Sequence, residues 1–153
     1  MEIQFVKYDD TFFALSKQWL TDPEIKLLTM TPELDEATRI AWYNTLEQRD
    51  DYYIRGVLAD GTPIGAVGIK HINRAAGTGE YWGYIGEKAY IGKGIGKKMM
   101  SAMYDAAHAI GLNKLILKVA DYNTRAYALY QKQGFVETLR EDNVIVMEKY
   151  LTI

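Results

Sequence analysis

The chain contains no cysteine, which excludes disulfides, thiolate metal ligands and a covalent cysteine mechanism and suits a reducing compartment. Histidine is almost as scarce. His71 and His108 are the only two, and neither has a second histidine or a carboxylate at ligand spacing, so no metal site is expected. No stretch approaches the roughly 18 apolar residues of a membrane span. The start, Met1-Glu2-Ile3-Gln4-Phe5, has neither the basic residues nor the apolar run of a signal peptide, so a cytoplasmic location without a membrane partner is expected. A basic excess is lacking too: the formal net charge is −2 and the pI is near 5.7, which argues against a nucleic-acid partner. Repeats, low-complexity tracts and linkers are absent. With 153 residues, 48% of them hydrophobic, the chain reads as one domain over residues 1–153.

What is present is a mixture of strand and helix patterns. Ile3 and Phe5 alternate like a short strand, and Asp9, Asp10 and Thr11 offer caps for a helix to about Leu20. Asp22-Pro23 stops or redirects it, and Leu27 to Thr31 reads as an apolar loop. Pro32 to about Gln48 reads as a second helix, with Ile40 off its apolar face. Tyr52 to Leu58 and Ile64 to Ile72 flank Asp60-Gly61, the signature of a hairpin. A third strand covers Glu80 to Gly86, with Gly83 marking a bulge candidate. After it, Ile95, Met99, Met103, Ala106 and Ile110 repeat at helical spacing up to Gly111, a natural C-cap. Leu115-Ile116-Leu117 with Val119 reads as a buried strand. Asn123 caps a helix to about Gln133, and Phe135 to Leu139 with Val144 to Tyr150 make a final hairpin. The expected fold class is α+β (mixed α/β): a central, mostly antiparallel twisted sheet of about six to seven strands flanked by about four helices.

The most informative segment is Tyr90-Ile91-Gly92-Lys93-Gly94-Ile95-Gly96-Lys97-Lys98. Glycines at alternate positions let backbone N–H groups approach a ligand, and the helix that begins here adds its free first-turn N–H groups and positive dipole end. Lys88, Lys93, Lys97 and Lys98 surround an anion site suited to phosphates, although such a segment also serves as a plain soluble turn. The spacing fails the P-loop pattern, because the first glycine falls on Ile91 and the hydroxyl on Lys98. It fails the dinucleotide fingerprint as well, because the last glycine falls on Lys97 or Met99.

Gly94-x-Gly96, followed by Asn123, Ala126, Tyr130 and Gly134-Phe135, resembles the GNAT superfamily of N-acetyltransferases, with Ile91 standing where that family usually has Arg or Gln. The resemblance covers roughly Ile54 to Met147. It implies an acyl-CoA N-acyltransferase fold with acetyl-CoA as acyl donor. It further implies backbone of Ile91, Gly92, Lys93, Gly94, Ile95, Gly96 and Lys97 on the pyrophosphate, Tyr84, Ile85 and Gly86 along the pantetheine arm, and Asn123 and Tyr130 at the cofactor. Tyr130 stands where the family places the general acid.

Glu80 is the candidate base. It shares a strand face with Trp82 and Tyr84 by alternation, and its separation from Gly94 is similar to that of the glutamate base in histone acetyltransferases of the superfamily. No serine, histidine and aspartate set presents itself, so direct attack of a primary amine in a ternary complex is expected. The acceptor site is expected around Met30, Tyr52, His71, Glu80 and Trp82. The early segments and Lys70-His71-Ile72-Asn73 are similar to enzymes that acetylate nucleotide-linked amino sugars, while polyamine and protein or peptide acetyltransferases share the layout. A non-catalytic acyl-CoA-binding domain is the alternative of another class. The partner is expected to be a small-molecule amine, and the protein a monomer or homodimer.

Overall fold

The computed structural model describes residues 1–151, arranged as a seven-stranded sheet with five α-helices. In chain order these are β1 (Ile3–Lys7), α1 (Asp10–Thr21), α2 (Pro23–Thr29), α3 (Glu36–Thr45), β2 (Tyr53–Ala59), β3 (Thr62–Asn73), β4 (Thr78–Ile85), α4 (Ile95–Ile110), β5 (Lys114–Ala120), α5 (Thr124–Lys132), β6 (Val136–Glu141) and β7 (Val144–Tyr150). Short 3-10 turns occupy Leu46–Gln48 and Lys88–Tyr90. The spatial order is β1-β2-β3-β4-β5-β7-β6. Every neighbouring pair is antiparallel except β4 and β5. The expected mixed, mostly antiparallel sheet is the one observed, with one helix more than anticipated.

That extra helix comes from Asp22-Pro23. Asp22 accepts hydrogen bonds from the N–H groups of Glu24 (3.0 Å) and Ile25 (3.2 Å), and Pro23 takes the first helical position, where its missing donor costs nothing. The segment Leu27 to Thr29, expected as loop, therefore belongs to α2, and the chain leaves it through Met30 in the left-handed region (φ 55°). The helix expected over Pro32–Gln48 is shorter because Asp35 takes its cap, accepting from Thr38 N–H at 2.7 Å. Its last turn tightens into the 3-10 segment. The bulge expected at Gly83 is instead in β3: β4 runs in unbroken register from Glu80 to Ile85, and the slip lies between Lys70 and Asn73. His71 sits there with φ 52°.

The sheet separates two apolar layers. On one face α4 buries Ile95, Met99, Met100, Met103, Ala106 and Ala107 against Ile69, Leu115, Leu117 and Met147. On the other, Tyr8, Phe12 and Trp19 cover Ala66, with Trp42, Trp82 and Tyr84 packed around them. Each fully buried side chain of this size contributes about 1.5–3 kcal/mol. Among the described residues, no helix is long and apolar enough to cross a membrane.

The layering predicts a sharp contrast in stability. Met103 is 1% exposed, whereas Ile40 on α3 is 43% exposed. In chemical denaturation Met103→Ala should cost about 2–5 kcal/mol, and Ile40→Ala less than about 0.5 kcal/mol. Equal losses would contradict this arrangement.

Candidate active site

β4 and β5 pair only at Thr78–Lys114, Gly79–Leu115 and Glu80–Ile116. Beyond that point β4 continues along β3 to Ile85 and β5 along β7 to Ala120, so the two strands part. The backbone groups that each turns toward the other no longer meet and are available to a ligand. A cavity of about 940 Å³ runs through this wedge. The glycine loop and the starts of α4 and α5 line one end, and aromatic residues from α1, α3 and β4 line the other.

At the first end, Gly92 (φ 80°) and Gly94 (φ 79°) both lie in the left-handed region. Gly94 is the N-cap of α4 and supplies no side-chain hydrogen bond, so the first-turn N–H groups stay open toward the cavity. Ile91, Gly92, Gly94, Ile95, Gly96 and Lys97 line it. A Cβ on Gly92 would collide with Nη1 of Arg125, which places that guanidinium directly on the loop. Arg125 also lines the cavity, and no hydrogen bond or ion pair engages its side chain among the described residues. Lys93 is exposed and does not line the cavity. Lys88, counted among the loop's cations on sequence grounds, is committed elsewhere: its Nζ lies 2.8 Å from Asp22 and 3.4 Å from Glu24.

Arg125 escaped the sequence reading although a signal was present. A cation in the first turn of a helix opposes the helix dipole, an arrangement that an anionic ligand would relieve.

Midway, Tyr84, Ile85, Asn123 and Tyr130 line the wedge. Asn123 caps α5 by accepting from Ala126 N–H (3.3 Å), and its amide donates to the Leu28 carbonyl at 3.4 Å. Tyr122 donates to the Leu27 carbonyl at 2.8 Å. Together these tie α2 over the start of α5. The Tyr130 ring meets Tyr81 edge-on, with centroids 6.2 Å apart, and its hydroxyl has no hydrogen-bond partner among the described residues. Burial pushes its pKa up to about 12. Gly86 stands apart from the cavity, because a Cβ there would strike the Trp19 ring.

At the far end, Trp82 stacks on Tyr84 (6.4 Å) and tilts against Tyr52 (6.2 Å), while Trp42 meets Tyr52 edge-on at 6.0 Å. Met30, Lys70 and Arg39 also line the cavity there. Trp82 Nε1 is the one buried side-chain polar atom without a partner among the described residues. Glu80 lies on the Trp82 and Tyr84 face, one residue before the strands part, but it is set back from the lining and paired with Lys70 at 3.6 Å. His71 also stays out of the cavity, because the β3 bulge turns it outward to an exposed position. Arg39, Tyr8 and Phe13 were missed in the sequence, where nothing local distinguishes them from ordinary helix-face or packing residues. Among the described residues, no group of three or more His, Asp or Glu is arranged to hold a metal.

A profile of the acetyltransferase (GNAT) family matches residues 13–135. Among curated proteins, the chain is 43% identical over 49 residues to the uncharacterized N-acetyltransferase YycN of Bacillus subtilis, covering 32% of this chain and 31% of that protein. It is 34% identical over 77 residues to an IAA acetyltransferase of Azospirillum brasilense, covering 50% of each. The matches thus span about a third and a half of those relatives. Among solved structures, a spermidine N-acetyltransferase from Vibrio cholerae, in complex with CoA and spermine, superposes with a TM-score of 0.87 at 20% identity, covering 97% of this chain and 95% of that one. The N-acetyltransferase PseH of Campylobacter jejuni, in complex with acetyl coenzyme A, gives 0.74 at 17% identity, covering 99% and 100%.

The cavity's tyrosines set a pH limit on stability. Burial raises the pKa values of Tyr52, Tyr81, Tyr84 and Tyr130 above the ordinary 10.0. Below pH 10 both folded and unfolded phenols are neutral and no stability is lost. Above it the unfolded chain ionises first, and each group costs up to about 1.4 kcal/mol per pH unit until its folded pKa is passed. The denaturation midpoint should therefore fall as pH rises from 10 towards 12, and Tyr84→Phe should flatten that slope.

Proposed function

The chain belongs to the GNAT acetyltransferase family, and from that premise we propose that it transfers an acetyl group from acetyl-CoA to a primary amine by direct attack in a ternary complex. The observation that carries this reading is the cavity between β4 and β5, with a glycine cradle at one end and Tyr130, whose hydroxyl has no hydrogen-bond partner among the described residues, lining it midway. Acetyl-CoA supplies an activated thioester. The open N–H groups of the glycine loop and α4, with Arg125 and Lys97 beside them, suit its pyrophosphate. The unpaired edge groups of β4 suit the amides of its pantetheine arm. Ile91 offers no charge, so Arg125 does in space what an arginine in the loop would do in sequence.

Tyr130 is a neutral phenol at neutral pH, as any tyrosine with a pKa of about 10 or above is, and burial pushes its own up to about 12. In this reading it hands its proton to the departing thiolate. The attacking amine must first lose a proton, since an ammonium with a pKa near about 10.4 costs about 4 to 5 kcal/mol to neutralise at pH 7. Glu80 is the proposed sink for that proton. Its position behind Lys70 routes the transfer through water rather than by contact. For the acceptor we favour a nucleotide-linked amino sugar. Aromatic faces at the far end suit a base or sugar ring, and among the described residues no Asp or Glu lines the cavity to draw in a polyamine.

In a thiol-release assay, Tyr130→Phe should lower kcat about 100-fold while leaving KM for acetyl-CoA within a few-fold. Glu80→Gln should lower kcat most at neutral pH and least in alkali, where the amine is already neutral. If neither variant slows thiol release while CoA still binds, the catalytic roles are wrong. Arg125→Ala should weaken CoA binding about 10-fold by calorimetry, with Ile91→Arg restoring part of the loss. Unchanged binding would remove Arg125 from the phosphate site.

A further inference from the structure

The far end of the cavity has a charge character that the transferase reading leaves unused. Arg39 lines it with a guanidinium held in a fixed orientation. Nη2 donates to the Phe13 carbonyl (3.2 Å) and to Ser16 Oγ (2.8 Å), and the group lies 4.6 Å over the Phe13 ring. Phe13 is itself stacked on Tyr43, with centroids 4.4 Å apart. The arginine side chain is only 15% exposed. Its counter-ion, Glu36, is 48% exposed and is shared with Lys17 at 3.5 Å. The Nε–H of Arg39 has no partner among the described residues. Lys70 is the other cation at this end, and its partner Glu80 is set back from the lining. The cavity wall therefore carries Arg39 and Lys70 beside Trp42, Tyr52, Trp82 and Tyr84, and among the described residues no Asp or Glu lines it.

We infer that the acceptor joins its amine to a planar ring and an anionic group, and that Arg39 is the residue that meets the anion. The inference rests on the acetyltransferase reading for the amine alone. The ring takes the aromatic faces, where stacking is favourable without sequence-like precision. The anion takes the N–H of Arg39 Nε, the one guanidinium nitrogen without a partner among the described residues, Nη1 being held by Glu36 at 3.1 Å and Nη2 by Phe13 and Ser16. The orientation is already fixed, so little further ordering is needed on binding. A second ammonium in the same place would face Arg39 and Lys70 with nothing to neutralise it. The anion is a phosphate or a carboxylate, either of which accepts a charge-assisted hydrogen bond from a guanidinium N–H.

The test is a binding measurement on the CoA-saturated protein, so that the phosphate cradle is already filled. Uridine, uridine diphosphate and phenylacetate are titrated against tryptophan fluorescence, to which Trp42 and Trp82 contribute from the cavity wall. An anionic ligand should bind at least 10-fold more tightly than uridine. The preferred ligand tells phosphate from carboxylate. Arg39→Gln should lower the preference for the anionic ligand over uridine by about 10- to 100-fold, and Arg39→Lys should restore part of it. Unchanged CoA affinity and thermal midpoint separate lost recognition from lost folding, and a variant that fails this check is replaced by Arg39→Lys alone. If uridine and the anions bind alike, or the preference survives Arg39→Gln, the inference is wrong. The two readings fail separately. Anion binding that follows Arg39, without thiol release from any amine, would sink the transferase reading alone, whereas brisk thiol release with spermidine and no anion preference would sink this one alone.

Discussion

After Glu80 and Ile116 the hydrogen-bonded ladder between β4 and β5 ends, and every feature of the site depends on that parting. A continuous sheet would fill the middle of the molecule with backbone pairs. Here the two halves twist away from each other, each stabilised by antiparallel partners on its outer side. Each half has its own antiparallel ladder, and α4 packs its methionines beneath both, against Ile69 of β3 and Leu115, Leu117 and Met147 of β5 and β7. The same parting brings the glycine loop at the end of β4 opposite the start of α5 at the end of β5. Arg125 can reach Gly92 for that reason.

Charge is distributed by commitment rather than by abundance. Many cations are near the cavity, but several are occupied. Lys88 bridges to Asp22 and Glu24, and Arg49 pairs with Asp51 at 2.9 Å. Arg125, Lys97, Lys118 and Lys132, which form no ion pair among the described residues, lie on the cavity wall, as do Arg39, paired with Glu36 at 3.1 Å, and Lys70, paired with Glu80 at 3.6 Å. A nearly neutral chain thus carries a locally positive channel. Low dielectric along an aromatic-lined wall makes such fixed charges count for more than the same charges in water. Burial among the apolar rings moves the ionisation of Tyr130 and Tyr84 further into alkali.

Much of the fold was legible locally. Asp-Gly at residues 60–61 gave the hairpin turn, with φ values of 48° and 82° as a tight turn requires. The spacing of Ile95, Met99 and Met103 gave α4 and its buried face. Strand alternation put Glu80, Trp82 and Tyr84 on one side of β4. The misreadings have physical causes. Asp22-Pro23 is at once a stop and a start, and only the cap geometry shows that a second helix follows. Gly83 looked like a bulge because glycine often marks one, yet it is needed there for close approach: Met99 Cε and the Tyr81 hydroxyl would each lie 3.0 Å from a Cβ at that position. The bulge fell instead on His71, whose type gives little hint of it.

The residues that carry local chemistry could be read from the order of the chain alone. Glycines at alternate positions before an amphipathic helix define an anion cradle through backbone freedom and helix N–H groups, both short-range properties. Asn123, Tyr130 and Gly134-Phe135 were singled out by resemblance to a family motif, not by their local spacing alone. Which charges meet in space is a different matter. Arg125 on Gly92 and Arg39 on Phe13 and Ser16 join segments far apart in sequence, and their positions follow from how the elements pack, whereas Lys70 meets Glu80 as its cross-strand neighbour in β3 and β4. Periodicity records which face a side chain takes within its own element. Only the packing of elements decides what stands across from it.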